Sequence, residues 1–318
     1  MIAVLCGGVG AARFLMGLRS VIDEEKITAI VNTGDDLEWN TLRVCPDLDT
    51  ITYTLSGKSA KTGWGLEGET WNALAGLERF GAERWFGIGD TDLSTHLFRS
   101  QALAAGASLD EVTSEIAKAF GLRLNIVPMT NDPVRTKLTT LDDEEIDFQE
   151  YFVHRHHEVG IKGVRFLGAE GAVPAPGVLD ALARAEAIII APSNPVVSIG
   201  PIVALPEIAE VLERRRRHVA AISPIIGGRA LKGPADRLLV ELGHRSSASG
   251  VAEVLSRFTH TMVIDEQDRE EAQSIEELGM ECVVTDTLMN DPGVAARLAR
   301  TACGALGVVG FKDEPPSR

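Results

Sequence analysis

An apolar run that passes straight into three glycines within four positions opens the chain, MIAVLCGGVGAAR over residues 1–13, and it restricts the fold more than any other stretch. Met1 to Leu5 suit a buried strand. Gly7, Gly8 and Gly10 permit positive φ and let the backbone approach a ligand closely. Ala11 to Leu18 then read as a helix whose first turn presents unpaired N–H groups to a phosphate. The spacing is not the dinucleotide fingerprint G-x-G-x-x-G, because Arg13 stands where a small residue is needed, and it lacks the Gly-Lys-Ser/Thr ending of a P-loop. A tight strand-to-helix turn accounts for the same glycines, so the segments that follow must decide.

A second apolar run, Ile27 to Val31, ends in Asn32-Thr33-Gly34-Asp35-Asp36, which places two adjacent carboxylates at the carboxyl end of a strand. In open α/β sheets that edge is where ligands bind. Pro46-Asp47-Leu48-Asp49-Thr50 follows, where Asp47 or Asp49 suits the cap of a helix over Ile51 to Leu55. Four carboxylates within fifteen positions repel one another unless a cation or proton intervenes, which makes Mg²⁺ the natural expectation. Gly57 to Gly68 read as a mobile glycine-rich loop, Thr70 to Phe80 as a helix and Trp85 to Ile88 as a short strand. Gly89-Asp90-Thr91-Asp92 then repeats the pattern of carboxylates past a strand end. Two helices follow, Leu93 to Ala105 and Ser108 to Phe120, the second opening with the capping box Ser108-x-x-Glu111. His96, on the first, suits a packed or surface histidine.

From about residue 123 to 172 the character changes to short β-like runs separated by turns: Leu124 to Val127, Lys137 to Leu141, Ile146 to Val153 and Lys162 to Leu167. The expectation is a β-rich insertion. Within it, His154, His156 and His157 on a strand point to opposite faces and cannot all ligate one ion, so a solvated strand end or an anion-binding edge is expected. Strand and helix alternation then resumes. Ala187 to Ala191 and His218 to Ile222 are continuous apolar strands, as in a parallel sheet covered on both faces, and each ends in a loop of small residues suited to a nucleotide. Further α/β units run to Ala305, and the polar tail from Lys312 is expected to fray. The fold class is therefore α/β, a doubly wound, mostly parallel Rossmann-like sheet forming one domain over 1–318 with the insertion at about 123–172.

Composition narrows the function. The 318 residues carry 46 acidic against 31 basic side chains, a formal net charge of −15, which argues against nucleic acid or an anionic membrane as partner. No apolar run approaches a membrane span and the first strand begins without a charged leader, so the cytoplasm is the expected location. Cys6, Cys45, Cys282 and Cys303 form no C-x-x-C pair and read as small, mostly buried hydrophobes.

Taken together, the loops form an ordered set: CGGVGAARFL at 6–15, NTGDD at 32–36, PDLDT at 46–50, GWGLEGETW at 63–71, GDTDLSTH at 89–96, MTNDPVRT at 129–136, FQEYFV at 148–153, APSNPVVSIGPI at 191–202 and SPIIGG at 223–228. This set resembles the 2-phospho-L-lactate transferase family, called CofD in methanogens and FbiA in actinobacteria, from Met1 to about Leu242. The resemblance implies a role in coenzyme F-420 biosynthesis. A guanosine diphospho-activated donor, lactyl or enolpyruvyl, gives its phosphoester to the deazaflavin Fo and releases GMP, with Mg²⁺ assisting. It also implies a homodimer. Asp35, Asp36 and Asp49 are the candidate catalytic residues and metal ligands. Gly7, Gly8, Gly10, Arg13, Ser193, Asn194, Gly227 and Gly228 are expected around the guanosine diphosphate, and Asp49, Asp90, Thr91 and Asp92 around Fo. Thr91 departs from the family pattern, which has Lys or Arg there, leaving Arg99 and Arg135 as candidates for the missing basic contact. The competing readings are a nucleotide-sugar-binding regulator of the gluconeogenesis-factor (YvcK-like) group, which also opens with a GG-x-G loop, and an NAD-dependent oxidoreductase, which the broken fingerprint disfavours.

Overall fold

The computed structural model describes residues 1–312, so most of the polar tail expected to fray lies outside the described residues. Seven strands form the central sheet: β1 (Ile2–Cys6), β2 (Ile27–Val31), β3 (Asn125–Pro128), β4 (Ala187–Ile190), β5 (Val219–Ile222), β6 (Thr261–Asp265) and β7 (Glu281–Thr285). All pair in parallel, in the order β7-β6-β5-β4-β1-β2-β3. The first three strands thus build outward to one side of β1, and the chain returns to build the other side from β4. The reversal leaves a crevice at the carboxyl ends of β1 and β4, where Rossmann-type sheets bind ligands.

Alternation explains why β1, β4 and β5 are wholly apolar. Ala3 and Leu5 of β1 face one core with Ile30, Ile188, Ile190 and Ala221, while Ile2, Val4 and Cys6 face the other with Ala29, Val31, Ile189 and Ala220. Both faces are covered, so both parities of β1 are apolar, and the polar residues of β2 and β6, Thr28, Thr261 and Asp265, are themselves buried. Each fully buried Val, Leu or Ile contributes roughly 1.5–3 kcal/mol.

The insertion begins later than its sequence suggests. The run around Leu124 to Val127 is β3, the parallel edge of the central sheet beside β2. The antiparallel sheet itself comprises Glu145–Asp147, Arg135–Thr140 and Ile161–Leu167, in that order. The expected strand over Ile146 to Val153 stops at Asp147 and gives way to a π-helix, Glu150–His154. Its aromatic spacing is the reason: Phe148, Tyr151 and Phe152 fall at i, i+3 and i+4, and a helical turn gathers them on one side, with Tyr151 fully buried against Leu138, Ile146 and Leu238. His156 and His157 take positive φ in the turn that follows, while His154 stacks on Trp85 and His157 on Phe152. His154 and His157 therefore pack against rings, His156 is exposed in the turn, and none of the three forms a strand end. Trp85 to Ile88 is not a strand either; its side chains join Trp39 and Val44 in an aromatic cluster. All four cysteines are free, and Cys6, Cys45 and Cys303 are buried. Among the described residues no helix is long and apolar enough to cross a membrane.

Candidate active site

The glycine loop lies in the β1/β4 crevice. Gly8 takes φ +74° as the first residue of the helix Gly8–Val21, a conformation strained for any residue with a Cβ. Gly10 packs so closely on the loop after β4 that a Cβ would run into the Pro192 carbonyl. Ser193 fastens the loop from the β4 side: its Oγ donates to the Gly7 carbonyl at 2.9 Å and accepts from the Gly7 N–H at 3.2 Å. Asn194 accepts the N–H groups of Val196 and Val197, turning its own loop. Gly7, Gly8, Gly10, Arg13, Ser193 and Asn194 all line a cleft of about 730 Å³. Gly227 and Gly228 do not line it. With φ of +57° and +78° they form the two-residue turn of the hairpin Ile225–Ile226/Arg229–Ala230, a turn that requires positive φ at both positions.

The clustered carboxylates separate into distinct environments. The helix over the second acidic motif starts at Pro46, with Cys45 as its cap residue, so Asp47 and Asp49 both lie inside the first turn. The Asp49 N–H already bonds the Cys45 carbonyl at 3.0 Å, which removes the reading of Asp49 as the cap. At about 100° per residue the two side chains project about 200° apart. Asp47 turns toward the glycine loop, where a Cβ on Gly7 would clash with it, and accepts from Asn32 Nδ2 at 2.9 Å. Asp35 also lines the cleft, is 6% exposed, and has a buried Oδ1 with no partner. Burial, and then the charge of Asp47, push the Asp35 carboxyl well above the usual range; burial likewise raises Asp47. Asp36 points away from the cleft. Its Oδ2 accepts from Arg43 at 3.1 Å and from the Cys45 thiol at 3.0 Å, and burial pushes its pKa up to about 6 against the pull of Arg43. Among the described residues, no three His, Cys, Asp or Glu side chains converge in a metal-binding group, so Asp35, Asp36 and Asp49 do not meet around one point.

Asp49 heads a buried polar network beneath the cleft. Both its oxygens are held by the Arg99 guanidinium, one at 3.1 Å from Nη1, with the two side chains 7% and 2% exposed. Arg99 therefore neutralises Asp49 from below and does not reach the cleft. His96 Nδ1 lies 3.2 Å from Arg99 Nη1, and its Nε2 lies 3.3 Å from Asp92 Oδ1, which in turn accepts the Tyr53 hydroxyl at 2.6 Å. Helical spacing assembles this chain, since Asp49 and Tyr53, like Asp92 and His96, stand four residues apart on one face. Burial alone would raise Asp92, but the His96 hydrogen bond and the cationic charges around it bring its pKa below the usual value. Asp92 lines the cleft; Asp90 and Thr91 do not. The Asp90 carboxylate instead accepts from Thr70 Oγ1, the Asn72 and Ala73 N–H groups and Asn72 Nδ2, clamping the start of the helix Asn72–Glu78. Glu69 does the same for the helix Asp92–Ala104, accepting the Thr91 and Asp92 N–H groups at 2.8 and 2.7 Å. Arg135 likewise stays outside the cleft.

Several lining residues have no signal in the sequence reading. Asp47 reads there as a helix cap and as one of four clustered carboxylates but is not singled out as a site residue, and Tyr53, Glu69 and Lys232 carry no individual functional mark. Aromatic side chains form another part of the lining: Trp64, Trp71, Phe86, Phe148 and Phe152. Trp64 sits edge-on to Phe152 at 5.9 Å, which joins the glycine-rich loop to the insertion. Their chain separation hides this wall, and only the motifs GWGLEGETW and FQEYFV hint at it.

The comparisons with known proteins place nearly the whole chain in a family. The family model described as 2-phospho-L-lactate transferase CofD matches residues 2–302. A phosphoenolpyruvate transferase of Kitasatospora aureofaciens is 41% identical, covering 95% of this chain and 96% of its own. A 2-phospho-L-lactate transferase of Methanosarcina acetivorans is 37% identical, with 96% and 99% covered. Among solved structures, a UPF0052 family member from Bacillus halodurans superposes with a TM-score of 0.65 at 16% identity, over 94% of this chain and 97% of that one, which supports the fold alone. The glycine loop, the carboxylates and the aromatic wall all fall inside the matched range, and the chain belongs to the 2-phospho-L-lactate transferase CofD family of transferases.

Proposed function

We propose that this transferase moves a phospholactyl or phosphoenolpyruvyl group from a guanosine diphospho-activated donor to the ribityl hydroxyl of the deazaflavin Fo, releasing GMP, in coenzyme F-420 biosynthesis. The observation that carries the reading is the single cleft at the β1/β4 switch point. It joins a glycine loop and helix start suited to a diphosphate, a set of buried carboxylates, and an aromatic wall suited to a planar tricyclic acceptor. The relatives bear two names, phosphoenolpyruvate transferase and 2-phospho-L-lactate transferase, which is why both donors stay in the proposal.

In the proposed reaction the hydroxyl oxygen bonds to the phosphorus that carries the lactyl or enolpyruvyl ester. The bond from that phosphorus to the bridging oxygen breaks, and its electron pair leaves with GMP. The hydroxyl proton passes to the Asp49 carboxylate and then to water. Asp49 is suited to orient the hydroxyl, because Arg99 fixes both of its oxygens and the network through His96 and Asp92 fixes Arg99. Glycine-loop N–H groups receive the diphosphate.

Mg²⁺ fits the residues present. The unpartnered Asp35 Oδ1 and the mutually repelling Asp35 and Asp47 form an uncompensated acidic pair at the cleft floor. Asp35 and Asp47 are the residues that would hold the ion, as is usual for an ion bound through one or two carboxylates. When bound it neutralises the phosphoryl oxygens. The remaining elements of the reading are a homodimer in the cytoplasm, the dimer tested by sedimentation, where a monomer at working concentration refutes it.

The decisive experiment supplies purified protein with Fo, Mg²⁺ and each donor in turn and reads the product by mass spectrometry. A product heavier than Fo by the phospholactyl or phosphoenolpyruvyl group, with GMP released, is expected. No product from either donor, together with calorimetric preference for a UDP-sugar or NAD over GDP, overturns the proposal.

A further inference from the structure

The cleft contains more acid than base, and its few cations are placed in a telling way. Among the described residues, Arg13 and Lys232 are the only Arg or Lys that line it, against Asp35, Asp47, Asp49, Glu69 and Asp92. Among the described residues neither forms an ion pair with a carboxylate, although most other arginines in this chain of net charge −15 do or bond carbonyls. The two come from distant segments. Arg13 follows Val9 by four residues on the helix Gly8–Val21 and so shares its face. Lys232 is carried in by the segment just after the hairpin Ile225–Ile226/Arg229–Ala230.

Geometry brings them to the same end of the cleft. The empty Cβ direction of Gly63 meets Val9 and, at 3.3 Å, the Lys232 ammonium, so Nζ lies beside the first turn of the phosphate helix. There Nζ donates to the Thr62 carbonyl at 2.6 Å and sits 5.2 Å over the Trp64 ring. Neither contact supplies a counter-charge. Desolvation, and then the nearby Arg13 charge, lower the Lys232 pKa, the mark of two cations sharing a space that lacks an anion.

We propose that Lys232 and Arg13 form a two-cation clamp for the diphosphate of the nucleotide donor, stabilising the charge that appears on the bridging oxygen as the nucleoside monophosphate leaves. This rests on the transferase reading above, adds Lys232 to it, and gives Arg13, already expected near the guanosine diphosphate, a specific role on the diphosphate. The clamp binds the polyphosphate and leaves the nucleoside and the planar acceptor to other walls. Because Lys232 rests on Trp64 and Thr62 before a ligand arrives, donor binding draws a tether from the glycine-rich loop, so indole emission reports it.

The test is calorimetry with GDP, UDP, inorganic diphosphate and Fo on wild type, Lys232→Met, Lys232→Arg, Arg13→Met and the double Met variant, with melting temperature recorded for each. Both side chains are exposed, so the folded structure is expected to survive. Each single Met variant is expected to bind GDP and diphosphate at least tenfold more weakly, the double variant more weakly still, and Lys232→Arg close to wild type, while Fo affinity holds. Diphosphate is also expected to change Trp emission in wild type and not in Lys232→Met. Unchanged GDP and diphosphate affinities in folded Met variants overturn the clamp, as does wild type that binds neither. If wild type binds UDP as tightly as GDP while the Met variants still lose diphosphate, the clamp stands and the guanosine assignment falls.

Discussion

Replacing Asp49 by Asn keeps the shape of the side chain and removes the charge that neutralises Arg99, whose guanidinium is 2% exposed. A helix cap tolerates that exchange at little cost, but an arginine left buried without its carboxylate does not. Asp49→Asn is therefore expected to lose roughly 3–5 kcal/mol of stability as well as two or more orders of magnitude in turnover. The second variant separates the two effects: Asp49→Asn with Arg99→Met is expected to regain much of the melting temperature and none of the activity. Recovery of both would show that the carboxylate serves only the fold. Asp35 is expected to behave in the opposite way. Its carboxyl is buried beside Asp47 with one oxygen unpartnered, so Asp35→Asn is expected to raise stability by roughly 1–2 kcal/mol while abolishing turnover. The pH sign follows from the raised pKa. The folded state binds this proton more tightly than the unfolded chain does, so without divalent cation the wild-type contribution is full below the ordinary carboxylate range and is lost as pH rises through the raised value. Melting curves against pH are expected to flatten in Asp35→Asn; an unchanged slope refutes the assignment.

At the scale of the element, the segment from Gly57 to Asp92 is held over the cleft by two carboxylate clamps, Asp90 on the helix Asn72–Glu78 and Glu69 on the helix Asp92–Ala104. Hydrogen bonds to Thr70, Ala73 and Asn72 keep the Asp90 pKa below its usual value, so its hold is complete above about pH 4 and fades as the solution is acidified below that. Asp90→Ala is expected to speed limited proteolysis within 57–91 while the central sheet stays resistant, and equal rates would show that the aromatic contacts alone secure the segment. These clamps also mark how far sequence could be read. Strands β1, β2, β4 and β5 fall on their apolar runs to within a residue because both faces of the sheet are buried. The carboxylates were legible as a cluster but not in their partners. Asp35 and Asp36 are adjacent in the chain yet meet the cleft and Arg43 respectively, and no local pattern reveals that Arg99, fifty residues on, sits under Asp49. Gly227 and Gly228 read as nucleotide-binding because a positive-φ hairpin turn and a phosphate loop demand the same residue.

Across the whole molecule, the phosphate helix is set by the other end of the chain. The helix Pro292–Gly304 lies against Gly8–Val21 so tightly that a Cβ on Gly17 would run into the Ala295 carbonyl. Leu298, Ala299, Ala302 and Cys303 share a core with Phe14, Leu15 and Leu18. The Lys312 N–H bonds the Val21 carbonyl at 2.9 Å, fastening the exit of the same helix. The C-terminal region, where family motifs are sparse, thus fixes the depth at which the glycine loop sits in the crevice. Gly17→Ala gains about 1 kcal/mol of helix propensity but must push apart a pair of backbones in a close-packed core, which costs about 1–3 kcal/mol, so a net loss is expected. Separating the helices also moves the first turn and weakens GDP binding. Leu298→Ala provides the contrast. It costs about 2–5 kcal/mol by opening a cavity but leaves the close approach at Gly17 intact, so GDP affinity measured well below its melting temperature is expected to hold. If Gly17→Ala binds GDP as wild type does, or Leu298→Ala weakens binding as much, helix spacing does not set the phosphate site and the two effects reduce to stability.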